Sequence, residues 1–154
     1  MPIIASGADM LACAQTGFHL ILRINWSLGS GKTAAFLIPV LSKLFGKALK
    51  LKAPRPKPGF ERNYQAQPLV LILGPTRELV WQIFDEARKF CYRSMLRPWY
   101  FHFWNWSWCS VVYGGAEWRP QREELQKGCD VLIATPGRLL DAMLRNSIGL
   151  DRVR

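Results

Sequence analysis

Gly29-Ser30-Gly31-Lys32-Thr33, followed at once by Ala34-Ala35-Phe36-Leu37-Ile38-Pro39-Val40-Leu41, is the stretch from which the chain is best read. Its first five residues have the form of the second half of a phosphate-binding loop. Glycines let backbone N–H groups turn inward around an anion. The lysine adds a positive charge for β- and γ-phosphates, and the threonine hydroxyl can ligate Mg²⁺. The apolar residues that follow have helical spacing, so the loop is expected to open a helix. A Gly-Ser turn before an exposed lysine has the same local composition, and only the rest of the chain separates the two readings.

Outward from this stretch, short apolar runs alternate with segments of helical period, the pattern of βαβ units around a parallel sheet. Strands are expected at Met10–Ala14, Leu69–Leu73, Cys109–Tyr113 and Val131–Ala134. Helices are expected at Lys32–Phe45, Leu79–Tyr92, Arg119–Lys127 and Gly137–Leu144, each packing one face on the sheet. A ligand would then lie at the loops after the strand C-termini. Residues 47–68, KALKLKAPRPKPGFERNYQAQP, are rich in Lys, Arg and Pro, so a basic surface loop that adds little to a core is expected there.

Two of the strands end in the same way. Leu69–Leu73 leads into Pro75-Thr76-Arg77-Glu78-Leu79, and Val131–Ala134 leads into Thr135-Pro136-Gly137-Arg138, each a hydroxyl, an arginine and a new helix. Helix N-terminal amides attract anions and an arginine adds a charge-assisted bond, which suits a phosphodiester backbone and makes no contact with base edges. Each motif alone could be a strand-to-helix turn with a threonine cap, and Gly114-Gly115 alone an ordinary turn.

Taken in order, GSGKT, PTREL, GG and TPGR resemble the ATP-binding core of DEAD-box RNA helicases. ACAQTG, ELVWQI, SVVYGG and GCDVLIATPGRLLD look like the Vasa-like subgroup. The resemblance implies a three-layer α/β P-loop NTPase (RecA-like) domain with a mostly parallel sheet, of which residues 1–154 would be an incomplete N-terminal part. It implies ATP and Mg²⁺ as cofactors, held by Gly29, Ser30, Gly31, Lys32 and Thr33, with Thr33 on the metal. It also implies RNA as a partner, bound through its backbone without sequence preference by Thr76, Arg77, Gly115, Thr135 and Arg138.

The sequence departs from the family pattern in several places. Relatives carry AQTGSGKT without a break, whereas here Ala14-Gln15-Thr16-Gly17 is separated from Ser30 by a twelve-residue insert, residues 18–29. His19–Ile24 is itself a strand-like run that could deliver NWSLGSGKT as a substitute loop, with Trp26 where a small residue usually sits. A second insert, residues 99–108, reads WYFHFWNWSW and is aromatic at seven of ten positions. Base stacking, a core-strand extension and translated non-coding sequence are all readings of it, and excising either insert restores a family-like join. On the resemblance, the adenine-reading glutamine segment would precede Met1. The acidic metal-binding and water-activating motif, the Ser-Ala-Thr motif and the second lobe with its arginine finger do not occur in these 154 residues. No catalytic residue is therefore assigned, and ATP hydrolysis by this chain alone is not expected. The rival readings are a non-enzymatic RNA-binding fragment and a product of mis-spliced or mis-predicted coding sequence.

Composition agrees with a phosphate-binding protein without demanding one. Lys and Arg number 21 against 11 Asp and Glu, a formal charge of +10, which favours a polyanionic partner. The apolar runs are too short to span a bilayer. Cys13, Cys91, Cys109 and Cys129 have no zinc-like spacing and are expected to be reduced, mostly buried thiols. An intracellular setting, cytoplasmic or nuclear, follows as the expectation.

Overall fold

The structure, a computed structural model, describes residues 6–12, 31–46, 56, 64–91 and 109–153. The chain divides into two compact units, Met1–Gly46 and Lys47–Arg154.

In the first unit, helix α1 spans Lys32–Gly46. Leu37, Leu41 and Leu44 recur along one face and are all buried, the stripe expected of a helix with one covered side. Met10 and Leu11, by contrast, are exposed, and residues 10–12 form no strand, which corrects the expectation of a strand at Met10–Ala14. An apolar run becomes a strand only where a neighbour takes up its backbone groups and covers its side chains. Ala14–Gly17, both inserts and Gly29-Ser30 lie outside the described residues, as do Cys13 and His19–Ile24.

The second unit is built on a three-stranded parallel sheet of β1 (Val70–Leu73), β2 (Cys109–Val112) and β3 (Val131–Ala134), in the order β1-β3-β2. All four residues of β3 are buried, as a central parallel strand covered on both faces requires. Alternation sends Leu132 and Ala134 into a cluster with Val112, Leu125, Leu139, Ala142 and Ile148, which leaves Val131 and Ile133 for the opposite face. Helix α2 (Arg77–Cys91) packs on β2 and β3 and buries Val80, Ile83, Ala87 and Cys91, none of which joins that cluster. Helices α3 (Trp118–Gln126) and α4 (Pro136–Leu144) supply Leu125, Leu139 and Ala142 to it. Helix, sheet and helix thus form the three layers of an α/β fold.

Three helices begin one or two residues before the expected points, because Arg77, Trp118 and Pro136 already occupy helical positions. Helix α4 ends where Asn146 adopts φ 53°, a left-handed conformation that asparagine tolerates better than most residues. The N–H groups of Asn146 and Ser147 donate to the carbonyls of Met143 and Ala142 at 2.9 Å each, closing a Schellman cap. The chain then runs beside Ala66, whose N–H donates to the Ser147 carbonyl at 3.0 Å and whose carbonyl accepts from Gly149 at 2.9 Å. Ala66 and Pro68 are consequently buried, so the last residues of the basic segment 47–68 belong to the core and not to a surface loop. An alanine in a paired backbone is covered whatever charge precedes it.

Cys91, Cys109 and Cys129 are buried thiols. The sulfurs of Cys91 and Cys109 lie 3.6 Å apart, where α2 ends and β2 begins. Their shared hydrogen bond, with burial second, pushes the Cys109 thiol far above its ordinary range, and either sulfur can be the donor. Among the described residues, no helix is long and apolar enough to cross a membrane.

The packing predicts a contrast between two leucines. Leu132→Ala empties a fully buried site in the central strand and should lower unfolding free energy by about 3 kcal/mol. Leu144→Ala, at a side chain 86% exposed, should change it by less than about 0.5 kcal/mol. Urea denaturation of both variants checks this; equal losses would contradict the strand assignment.

Candidate nucleic-acid interface

The register aligns Leu73, Ala134 and Val112 side by side, so all three strands stop at one level. Ladder bonds continue one residue further: the Gly74 N–H donates to the Ala134 carbonyl and the Thr135 N–H to the Val112 carbonyl, each at 3.0 Å. The three segments that carry PTREL, GG and TPGR therefore emerge together, at the end of a parallel sheet where ligands usually sit.

After β1 the chain turns sharply. A Cβ on Gly74 would lie 2.7 Å from a Val80 methyl, so only glycine lets the helix come this close. Thr76 caps α2 by accepting the Leu79 N–H on Oγ1 at 3.3 Å, and its side chain is exposed. Arg77, also exposed, reaches across and donates from Nη1 to the Gly115 carbonyl at 3.2 Å. Gly115 has φ +71°, and a Cβ there would fall 1.9 Å from Nη2 of Arg77. The positive φ is what favours glycine here, and the bare Cα leaves the guanidinium room to lie where it does.

The turn Tyr113–Ala116 that carries Gly115 is held from below. Gln121 on α3 accepts the Tyr113 N–H at 3.0 Å and donates from Nε2 to the carbonyls of Tyr113 and Glu117, at 3.2 and 3.0 Å. Arg138 on α4 donates from Nε to the Tyr113 carbonyl at 2.9 Å and from Nη2 to the Ala116 carbonyl at 2.6 Å. Its guanidinium also lies 5.6 Å from the Trp118 ring centre and 3.4 Å from Asp141. Hydrogen bonding from Arg145 first, and then from Arg138, holds the Asp141 carboxyl below the usual carboxylate range. Thr135 starts α4 but does not cap it; its Oγ1 accepts the Gly114 N–H at 3.3 Å instead.

The structure thus brings Thr76, Arg77, Gly115, Thr135 and Arg138 together around one turn. Three of them are exposed, Thr76, Arg77 and Gly115, while the Arg138 side chain is only 14% exposed and faces the turn's own carbonyls. Gln121 was missed from sequence. Its signal was a polar residue on the apolar stripe formed by Trp118 and Leu125, where burial demands hydrogen-bond partners.

In the first unit, Gly31 has φ +68° and its carbonyl accepts the Ala35 N–H at 2.8 Å, so the helix begins on a left-handed glycine. Lys32 is the first residue of α1 and Thr33 the second.

Two solved structures are similar to this chain. The solved structure of the yeast DEAD-box splicing factor Prp28 is similar at a TM-score of 0.55 and 36% identity, over 84% of this chain and 26% of that one. The RNA-helicase Prp28 from Chaetomium thermophilum, bound to ADP, is similar at 0.53 and 34%, over 83% of this chain and 26% of that one. The chain spans about a quarter of the length of each. Residues 19–154 match the DEAD/DEAH box helicase family, including the three segments that meet at the 113–116 turn, and the chain therefore belongs to that family.

Proposed function

We propose that this chain is part of the N-terminal, RecA-like lobe of an ATP-dependent RNA helicase, with an RNA backbone lying across the Thr76, Arg77, Gly115 and Thr135 surface. The observation that carries the reading is the convergence of PTREL, GG and TPGR on one turn at the strand ends. Thr76 and Arg77 are the outward donors to phosphate. Arg138 acts from within, fixing the turn that presents Gly115, so the phosphate role expected of it is an indirect one. Resemblance in ACAQTG and GCDVLIATPGRLLD supports placement in the Vasa-like subgroup.

The described half of the phosphate loop fits a nucleotide. A left-handed glycine leads directly into a helix whose first two residues are lysine and threonine, and a Cβ at Gly31 would meet nothing. Gly31 and Lys32 would hold the β- and γ-phosphates and Thr33 the Mg²⁺, with Gly29 and Ser30 completing the loop. ATP, when bound, supplies the phosphoryl group whose transfer drives the family's cycle. This chain's own contribution is to orient it from the N-terminus of α1.

Three measurements test the reading. RNA binding should be weak, indifferent to base sequence and steeply salt-dependent, because phosphate-directed groups and a charge of +10 are what the chain offers. Arg77→Ala should weaken binding to all sequences alike and lower the salt slope by about one. Binding that ignores salt, or strongly prefers one base sequence, would remove the backbone assignment.

ATPase activity should stay at background with or without RNA, since no DEAD tetrapeptide and no arginine finger lie in these residues to position metal, water and charge. RNA-stimulated turnover abolished by Lys32→Ala would contradict this.

Deleting 18–29 and 99–108 together should raise the thermal midpoint and strengthen ATP binding without conferring turnover. The first deletion joins AQTG to SGKT in one continuous loop. The second removes an aromatic run whose exposure would invite association. An intact chain that binds ATP as tightly as the double deletion would show that NWSLGSGKT already serves as a loop.

A further inference from the structure

Helix α2 carries a second feature beside the turn. Arg77, Trp81, Phe84 and Arg88 follow at spacings of four, three and four, which places them on one stripe of the helix. Such a stripe on a helix packed against a sheet is ordinarily polar where it faces water. Here its middle is aromatic, and Trp81 is 41% exposed.

The indole is nevertheless held in place. Its ring lies 5.5 Å from that of Phe84 at 79° and 5.7 Å from that of Tyr113 at 62°, two edge-to-face contacts. Tyr113 is fixed in turn, because Gln121 and Arg138 hold its backbone N–H and carbonyl. The Arg88 guanidinium caps the other end, 5.5 Å from the Phe84 ring centre. One turn of helix before Trp81, Arg77 rests on Gly115. A rigid, half-exposed indole between two arginines and contiguous with a phosphate-directed turn is the combination that single-stranded nucleic acid uses: cations follow the backbone and a π-face takes a base.

We infer that Trp81, steadied by Tyr113 and Phe84, is a stacking platform for a base of single-stranded RNA whose backbone crosses Arg77 and Gly115. The inference rests on the RNA-backbone reading above and adds to it a base contact without base selectivity, since every base has a π-face. It differs from the stacking considered for the aromatic insert 99–108, which lies outside the described residues.

Fluorescence anisotropy with two labelled oligoribonucleotides of equal length, an oligoadenylate and its abasic counterpart, provides the test. The intact chain should bind oligoadenylate more tightly than the abasic strand. Trp81→Ala should weaken oligoadenylate binding by about tenfold, leave abasic binding and the salt slope unchanged, and largely erase the preference between the two. Trp81→Phe should retain most of the preference and unfold at a thermal midpoint close to that of the intact chain. Equal affinity of the intact chain for the two strands, or an undiminished preference in Trp81→Ala, overturns the stacking contact and leaves the backbone reading standing. Equal losses on both strands in Trp81→Ala and Trp81→Phe mean that the ring only supports the turn, which also overturns it. Failure of the intact chain to bind either strand removes the backbone reading, and the stacking contact with it.

Discussion

The pairing of β3 with both of its neighbours determines where the strand-to-helix junctions of the second unit, with Thr76, Arg77, Gly115, Thr135 and Arg138, end up. β3 is buried along its whole length and has no freedom of register, because a slip of one residue would turn Leu132 and Ala134 out of their cluster. β1 and β2 are each matched to it residue for residue. The three strands therefore stop together, and Thr76, Thr135 and the 113–116 turn occupy one level. Displacing β1 by a single residue would carry Thr76 and Arg77 about 3.3 Å along the strand axis, enough to break the Arg77 bond to Gly115.

Level strand ends alone would leave a loose turn between β2 and α3. Polar groups that face inward make it a fixed surface. Gln121 takes both backbone groups of Tyr113, and Arg138 takes the carbonyls of Tyr113 and Ala116. These are charge-assisted or partly buried bonds, the kind whose loss leaves unsatisfied groups and so costs most. The two arginines of the motifs thus divide the work: Arg138 sets the geometry from inside, and Arg77 lies across the result with its side chain exposed.

Much of this was legible in the sequence, for identifiable reasons. VLIL and VLIA are short β-branched runs followed by helix-starting residues, so strands and crossings could be placed within a residue or two. That Thr76, Arg77, Gly115, Thr135 and Arg138 would meet could be foreseen because each sits at a strand-to-helix junction or at a Gly-Gly turn. Sequence could not show which way Arg138 points, since an arginine in a helix's first turn reaches outward or back with equal ease until the turn beside it is known. It also gave no warning that Ala66 would be buried, because that depends on pairing with residues some eighty positions away. The expected strand at Met10–Ala14 shows the opposite at its described residues: local pattern is present, yet Met10 and Leu11 are exposed and residues 10–12 are not paired.

The two inserts stand in different relations to this framework. Residues 99–108 fall between the end of α2 and the start of β2, and the thiols that mark those ends lie 3.6 Å apart. A connection whose ends already meet can lengthen cheaply, at roughly 0.6 kcal/mol for each doubling of a flexible loop. Residues 18–29 interrupt a motif instead. A phosphate loop works because consecutive amides converge on one point from a helix N-terminus, and twelve residues between Gly17 and Ser30 separate amides that must act together. The level strand ends and the 113–116 turn thus depend on pairing between distant strands, whereas the loop proposed for nucleotide depends on unbroken sequence.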